Sequence, residues 1–599
     1  MLNIMKKLVK KKILKKIDFY FAKNISKKNE SLILIISAYL SLKYRKGYTF
    51  ISLKNILKKK FFTKKILNKI NHIKSLENIK KELLKNNFIK KNNFPIILNK
   101  NILYLNKIWN IEKKIYKFLN YKYKLKKYNF CKLNKIIKTN LFKKLNFEKK
   151  NAIISCLLNK FTFILGGPGT GKTHIISKII FLFLKISKKK KIIISSTTGK
   201  SSNIILESIK KNKLLNKNQN KIKQYIPNKS YTLHKLFKIN NNINNFFFKQ
   251  KKINVDLLII DESSMIDLFI FNKIIDLTYK KTQIIFLGDK NQLPSINVGS
   301  ILNDIFIYFK KNKHHKLYLK FKENIIKNKL NKNFYKNKSL KNKICYLKKN
   351  YRFNKNSDIY KFSQMIKKFK KNKEKKIFNN KLNNIKFYIL KKKISYIKIM
   401  KKIFLFYKNY WNIIIKKKSI KKIFKLFNKI RILCVLKKGN YGVKGINKIF
   451  KYFIKKNNLT YFKKYDKKLW YIGKPIIIKK NLYQIKLFNG NIGITLLDKD
   501  KKMKVFFVMP DQSIKIIPIN LIRNYQTTWA ITIHKSQGSE FNKIILIMPL
   551  KKNRIMSREI IYTAITRAKK KILIYSKKNI FLKSIQKTIV KKSKLLKKK

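Results

Sequence analysis

Four apolar runs in the middle of the chain each close on small or acidic residues: FTFILGG (161–167), KIIISSTTG (191–199), VDLLIIDES (255–263) and TQIIFLGD (282–289). Apolar positions that run on without alternating predict strands buried on both faces of a parallel sheet. The stretches between them carry helical spacing. In such sheets the carboxyl ends of the strands hold the site. Strand texture returns at RILCVL (431–436), in short runs over 470–510 (WYIGKPIIIKK, GNIGITLL, KVFFVMP), and in two further runs between Ile531 and Ser576. Residues 1 to about 140 repeat apolar positions at helical intervals and predict a mostly helical domain. The lysine- and asparagine-rich stretches 305–345 and 365–430 predict helices and variable loops. The expected organisation is a helical docking domain over 1–140, an α/β domain over 141–350, and a second α/β domain over 351–599 with a small β-barrel inserted at about 455–520.

Composition changes this picture in two ways. The chain has 599 residues, 45% of them apolar, which excludes a disordered protein and requires several cores. The four cysteines, Cys131, Cys156, Cys345 and Cys434, form no C-x-x-C pair, which fits a reducing cytoplasm. The apolar stretches are too short to span a bilayer, and no signal-peptide pattern follows the basic start. The net charge is +127, yet 143 of the 150 basic residues are lysines spread along the whole chain. A drift toward AT-rich codons produces that pattern, so the charge alone does not establish nucleic-acid binding, although it favours polyanions.

Against that background the rare residues are informative. Seven of the 23 acids fall between Asp256 and Asp304: Asp256, Asp261, Glu262, Asp267, Asp276, Asp289 and Asp304. An arginine surviving among so many lysines marks a need for a planar, permanently charged fork. That singles out Arg352 and Arg567.

Three motifs carry chemistry. Gly166-Gly167-Pro168-Gly169-Thr170-Gly171-Lys172-Thr173 is a complete G-x-x-x-x-G-K-[ST] between a strand and an apolar helix. Its glycines turn backbone N–H groups toward phosphates, Lys172 reaches the β- and γ-phosphates, and the Thr173 hydroxyl suits Mg²⁺. LLIIDESSM (257–265) ends a strand in two carboxylates, Asp261 for the metal and Glu262 for the attacking water. LGDKNQLP (287–294) ends the next strand in a turn that offers Gln292 to a γ-phosphate or a water.

GGPGTGKT, DESSM, LGDKNQLPSINVGS, NYRF, TWAITIHKSQGSEF and YTAITRAKK follow one another in the order of the superfamily 1 helicase motifs. CVLKKGNYGVKGIN (434–447) and the 470–494 segment add to the likeness. The sequence resembles the RecD family, a subunit of the bacterial RecBCD complex (the alpha chain of exodeoxyribonuclease V), over about residues 146–576. The first 140 residues resemble it only in size and position. The resemblance implies two RecA-like domains with an SH3-like insertion in the second, and a 5′→3′ DNA-translocating ATPase. It also implies a RecB-like 3′→5′ motor/nuclease and a RecC-like scaffold as partners, with a role in double-strand-break repair. ATP and Mg²⁺ are the implied cofactors, and single-stranded DNA and duplex ends the implied substrates.

By motif, the second motor domain supplies Arg352 and Arg567 as arginine fingers, and Gly538 and Glu540 line the nucleotide cleft. Thr198, His234, Thr532 and His534 fall where such motors touch the DNA backbone. The sequence departs from the family at Glu148, where a glutamine reads adenine. A carboxylate accepts from the adenine amino group but cannot donate to N7, which bears on ATP selectivity. It departs less at Thr197, where the family has proline. Arg554 and Arg558 have no assigned role. No histidine–carboxylate–lysine nuclease constellation is present, so no DNA cleavage is expected of this chain. The competing readings are a free-standing 5′→3′ helicase and a motor-dead assembly subunit; the intact Lys172, Asp261, Glu262, Gln292 and Arg567 weigh against the latter.

Overall fold

The computed structural model describes residues 2–589 apart from 27–30, 58–74, 91–93, 121–138, 140–141, 187–189, 212–223, 239–250, 312–342, 353–356, 370–377, 379–381, 391–393, 466–467, 510–511 and positions 87, 143, 296, 461 and 483. Cys131 and most of the 305–345 stretch therefore lie outside the described residues.

Strands β1 (Phe50–Ser52), β2 (Ile89–Lys90), β3 (Ile96–Asn99) and β4 (Ile102–Leu105) form a small sheet in the order β1-β4-β3-β2, set among the helices Leu2–Lys10, Lys16–Ile25, Ser31–Arg45 and Leu76–Lys85. The helical expectation holds for this region, and the sheet adds to it. Its strands are two to four residues long, below the length at which alternation becomes readable. The rare Asp18 and Arg45 are used here. Arg45 Nε donates to Asp18 Oδ1 at 2.8 Å, its NH2 pairs with Oδ2, and Ser41 Oγ donates to Oδ1 at 2.7 Å.

The first large sheet contains β5 (Phe161–Gly166), β6 (Ile192–Ser196), β7 (Ser230–Thr232), β8 (Leu257–Asp261), β9 (Gln283–Gly288) and β10 (Ile344–Leu347) in the order β10-β5-β9-β8-β6-β7. Every pairing is parallel, with Phe163 opposite Phe286 and Ile194 opposite Ile259. Alternate residues of one strand enter two separate cores. Ile164, Ile194, Leu257, Ile259, Ile285 and Leu287 face one, and Phe161, Phe163, Leu258, Ile260, Ile284 and Phe286 the other. Two covered faces explain why the runs do not alternate. The helix Asn106–Asn120 sends Ile108, Ile111, Ile115 and Leu119 into the second of these cores.

The second sheet repeats the plan with β11 (Ile385–Ile389), β12 (Ile430–Cys434), β20 (Ala530–Thr532), β21 (Phe541–Ile547) and β22 (Ala568–Ser576), all parallel, in the order β11-β22-β21-β12-β20. Between β12 and β20 the chain inserts a hairpin, β13 (Phe462–Tyr465) with β14 (Lys468–Tyr471). An antiparallel sheet follows, made of β15 (Pro475–Ile478), β16 (Ile492–Leu497), β17 (Met503–Val508), β18 (Ile514–Pro518) and β19 (Tyr525–Thr527). Fully buried Trp529 fastens the insertion. Its ring lies among Tyr407, Tyr410, Trp411, Phe427 and Phe450, and its Nε1 donates to Tyr471 Oη at 3.0 Å. Among the described residues no helix is long and apolar enough to cross a membrane.

Arg431, at the start of β12, is wholly buried. Its guanidinium lies 4.2 Å from the Phe427 ring centroid and 5.1 Å from that of Phe541. NH1 donates to Thr528 O at 3.1 Å and NH2 to Asn428 Oδ1 at 3.0 Å. Burial pushes its pKa down to about 10, so it stays charged at neutral pH between two aromatic faces. A lysine has neither the plane to stack nor the fork to reach both oxygens. We predict that Arg431→Lys destabilises the fold by about 2 kcal/mol or more, counting the lost hydrogen bonds and the stacking. Thermal unfolding checks this, with exposed Arg554→Lys as the control expected to melt like wild type.

Candidate nucleotide cleft

β5 delivers Gly166 to the edge of the first sheet, and the fifteen-residue helix Lys172–Ile186 departs from the loop that follows. Gly169 and Gly171 both lie in the left-handed region at φ +81°. A Cβ added at Gly169 would stand 2.5 Å from Arg352 Cβ and 2.7 Å from Asn350 Oδ1, so only glycine fits both the backbone and the space. Thr170 Oγ1 donates to Gly167 O at 2.8 Å. Lys172 Nζ folds back and donates to Gly166 O at 2.6 Å and Gly167 O at 3.0 Å, occupying the hollow of the loop.

β8 ends in Asp261, and Glu262 follows it in the left-handed region at φ 50°, ψ 41°. A non-glycine residue held there is strained, a condition common at working sites. Ser263 Oγ donates to Leu287 O at 2.6 Å and fixes the turn against β9. Burial first, then the neighbouring Glu262 charge, push the Asp261 pKa up, while Lys172 and Arg567 pull against that shift. A desolvated carboxylate beside a second carboxylate is short of positive charge. With the Thr173 hydroxyl at the start of the helix, this donor set fits a hard dication held by one carboxylate, one hydroxyl and a ligand's phosphates. β9 ends in Asp289, whose Oδ1 accepts from Asn291 N at 3.0 Å and whose Oδ2 accepts from Tyr562 Oη at 3.0 Å. Gln292 is buried, and its Oε1 has no partner among the described residues.

The second sheet closes the cleft from the other side. Thr563, on the helix Arg558–Ile565, accepts from Leu293 N through Oγ1 at 3.0 Å, and Gln537 Nε2 donates to Leu293 O at 3.5 Å. Arg567 is buried, its Nε donating to Thr563 O at 3.2 Å and its NH1 to Ser539 O at 3.5 Å. Its NH2 has no partner among the described residues. A buried guanidinium N–H left open beside Asp261 and Lys172 is a donor awaiting an acceptor. Glu540 pairs with Arg352 across the cleft and with Lys569 at 3.2 Å.

One expectation is corrected. Arg352 does not come from the second α/β domain. It leaves β10, an edge strand of the first sheet, and lies directly over Gly169. The motif order hid this because β10 follows β9 only after a long excursion and pairs back onto β5. The two arginines therefore approach from opposite sides.

The remaining expected residues fall elsewhere. Thr198 bonds to Ser201 Oγ at 2.7 Å, and a Cβ at Gly538 would stand 3.4 Å from Thr198 Oγ1 and 2.1 Å from Ser201 Oγ. Thr198 and Gly538 thus meet where the two domains touch. Thr532 and His534 are half-buried on the second domain, with burial pushing the His534 pKa down, and His234 is exposed on the helix Leu233–Leu236. Of the seven clustered acids, Asp256 ties Lys190 and the Lys191 amide, Asp267 caps a helix through Ile270 N, and Asp276 pairs with Lys114; these support the fold. Sequence reasoning missed Tyr562 as the partner of Asp289, although it stands inside the YTAITRAKK motif. Lys535, inside the TWAITIHKSQGSEF motif, has its pKa lowered by burial and by neighbouring Lys437 and Lys479.

Comparison with known proteins places this cleft in context. The model for the RecBCD enzyme subunit RecD N-terminal domain matches residues 10–104, an AAA domain model matches 149–298, and a UvrD-like helicase C-terminal domain model matches 527–575. The RecBCD enzyme subunit RecD of Buchnera aphidicola subsp. Schizaphis graminum is 39% identical over 98% of this chain and 100% of its own. That of Haemophilus influenzae is 27% identical over 99% and 98%. A crystal structure of Bacteroides Pif1 bound to single-stranded DNA is 18% identical, with a TM-score of 0.37, over 72% of this chain and 92% of that one.

The raised Asp261 pKa has a consequence for stability. Its folded value lies above the ordinary 3.8, so its contribution is fully present below that value and is lost as pH rises through the folded one. We predict that the nucleotide-free protein loses stability between about pH 4 and pH 7, from the ordinary value up to the folded value of about 7, and that Asp261→Asn flattens this slope. Buried Glu112, pushed up to about 7 by burial, gives a slope of the same sign in both proteins, so the difference between them isolates Asp261. Denaturant unfolding at stepped pH checks it.

Proposed function

The chain belongs to the RecD family of RecBCD enzyme subunits, and on that premise we propose that it is the ATP-dependent 5′→3′ DNA helicase subunit of a RecBCD-type helicase–nuclease working at double-strand ends in recombinational repair. The observation that carries this reading is the meeting of two domains on one phosphate loop. Lys172, Asp261, Glu262 and Gln292 come from the carboxyl ends of the first sheet, and Arg567 from the second.

In this reading ATP lays its phosphates along Gly166–Thr173. Lys172 gives up its two loop carbonyls for the β- and γ-phosphates, and the amides at the start of the helix meet the rest of the charge. Asp261 and Thr173 would hold Mg²⁺, which when bound would neutralise charge building on the phosphates. Glu262 accepts a proton from the attacking water, and Gln292, with its unpartnered oxygen, orients that water or senses the γ-phosphate. The open NH2 of Arg567 takes a γ-phosphate oxygen, and Arg352 exchanges Glu540 for phosphate as the cleft closes. Glu540 and Gly538 line the nucleotide cleft on the second domain's side.

Closure and opening alternate the grip of the two domains on the DNA backbone, which Thr198, His234, Thr532 and His534 touch. Grip on phosphate is sequence-independent and salt-sensitive. A RecC-like scaffold and a RecB-like motor/nuclease complete a heterotrimer. The N-terminal region presents exposed Ile13, Ile17 and Tyr20 for docking, and the helix Asn106–Asn120 belongs with the first motor domain, whose core it fills.

Partial duplexes with a 5′ or a 3′ single-stranded tail test the function. Unwinding from the 5′ tail is the expected result, and preferential unwinding from the 3′ tail contradicts the polarity. The catalytic assignment makes a second prediction, for Arg567→Lys. Arginine fingers are worth about 10³- to 10⁵-fold in rate, and a lysine cannot reproduce the planar fork. DNA-stimulated turnover should fall by roughly two orders of magnitude or more while Mg²⁺–ATP binding is largely kept. Steady-state hydrolysis and nucleotide titration check this, and turnover within about threefold of wild type would return Arg567 to a structural role.

A further inference from the structure

Glu148 stands where the family resemblance places the reader of the adenine base, and its contacts give it a different task. Its Oε2 accepts the backbone N–H of Lys348 at 2.7 Å and that of Lys349 at 3.3 Å. Those residues lead out of β10 into Asn350–Tyr351–Arg352, and each of these three is tied down in turn. Asn350 Nδ2 donates to Pro168 O at 2.9 Å, Tyr351 N donates to Gly169 O at 2.8 Å, and Arg352 N donates to Asn350 Oδ1 at 2.9 Å. The start of the helix Phe147–Leu158 holds the same segment at a second point. Its cap Asn146 donates through Nδ2 to Tyr351 Oη at 3.0 Å, and Lys149 Nζ lies 3.8 Å from the centre of the Tyr351 ring.

We infer that Glu148 is a positioning residue that fixes residues 348–352 over the phosphate loop, sets the reach of the Arg352 guanidinium, and does not select the nucleobase. An ionised carboxylate only accepts, so it offers no donor to a purine N7, and one of its two oxygens already serves backbone amides. Hydrogen bonds from amides to a charged acceptor are about twice as strong as neutral ones, which suits an anchor. The segment it anchors continues directly into the side chain that pairs with Glu540 across the cleft. Glu148 thereby links the first domain's own helix to the cation that must change partners when nucleotide binds. The kinetic part of this inference rests on the ATPase reading above; the anchoring part does not.

The test uses the full chain as wild type, Glu148→Gln, Glu148→Ala, Arg352→Ala and the double Glu148→Ala/Arg352→Ala. Glutamine keeps a carbonyl acceptor and alanine has none. The expected result is that Glu148→Gln keeps kcat within about threefold. Glu148→Ala lowers kcat by about tenfold to a hundredfold, the cost of a misplaced group, while KM for ATP stays within about threefold. The double variant is no slower than Arg352→Ala beyond about twofold, because both changes remove one contribution. The preference for ATP over GTP moves by less than about threefold in either Glu148 variant. If Glu148→Ala does not fold, Glu148→Asp, which draws the carboxylate back by one methylene, shows the same kcat-selective loss.

Amide hydrogen exchange at Lys348 and Lys349 provides an arm free of activity: it quickens in Glu148→Ala and not in Glu148→Gln. Loss of ATP-over-GTP preference with kcat intact would make Glu148 a base reader and overturn the inference. So would losses that multiply fully in the double variant, or exchange that does not respond. A wild type that hydrolyses no ATP, with exchange responding as expected, upholds the anchor and removes the ATPase reading instead.

Discussion

At the carboxyl end of β9 the first α/β domain is tied to the second through Leu293, which enters the second domain's apolar core, and through a few polar contacts. Leu293 gives its N–H to Thr563 and its carbonyl to Gln537, while Asp289 accepts from Tyr562. All three partners belong to the second domain, so the turn that ends a strand of the first sheet is also the floor of the cleft. Because the phosphate loop lies beside that turn, with Tyr562 Oη only 3.3 Å from where a Gly167 side chain would begin, motion of the second domain cannot leave the loop untouched. Buried hydrogen bonds of this kind hold one geometry or another, not a continuum, which lets a ligand choose between an open and a closed arrangement. Arg567 NH2 and the Gln292 amide oxygen sit at this junction without a partner among the described residues, a donor that a bound polyanion would meet and an acceptor that a water would meet.

The N-terminal region is drawn into the same junction. Gly47 O accepts from Gly299 N at 3.1 Å, on the loop that follows the β9 turn, and Thr49 packs against Gly299. A partner that seats on the N-terminal region would therefore touch an element that borders the cleft. Its rare acids and arginine also follow a physical rule. Buried Asp18 and the more exposed Arg45 form a two-pronged pair that no lysine could make.

Much of this was legible in the sequence, for physical reasons that differ from element to element. The central strands of both large sheets were readable because two-sided burial demands unbroken apolar runs, as at 257–260 and 544–547; the outer strands β7, β10 and β11 were not, and β11 lies in the 365–430 stretch expected to hold only helices and loops. The phosphate loop was readable because a left-handed backbone at Gly169 and Gly171 admits almost nothing but glycine. Arg352 and Arg567 were readable because arginine is scarce in this chain, 7 of 150 basic residues, although exposed Arg554 shows that scarcity alone does not prove a need for the guanidinium. Arg431 was not singled out: its planar cation serves two phenylalanine faces, a need that depends on packing and that no motif marks. The origin of Arg352 was illegible, since β10 joins the first sheet across a long stretch of chain. The four short N-terminal strands were hidden for a simpler reason, having too few residues to set a period. Glu148 was seen as a departure, but its acceptor role depends on backbone amides two hundred residues away.

The central claim is that a γ-phosphate draws the two domains together by recruiting cations from both. Spin labels placed one on each motor domain, away from the cleft, read this directly as an interdomain distance in the presence of single-stranded DNA. The account predicts a shorter distance with a non-hydrolysable ATP analogue than with ADP or no nucleotide, and loss of that shortening in Arg567→Ala. A distance that is the same in all three nucleotide states, or that shortens equally without Arg567, would contradict it.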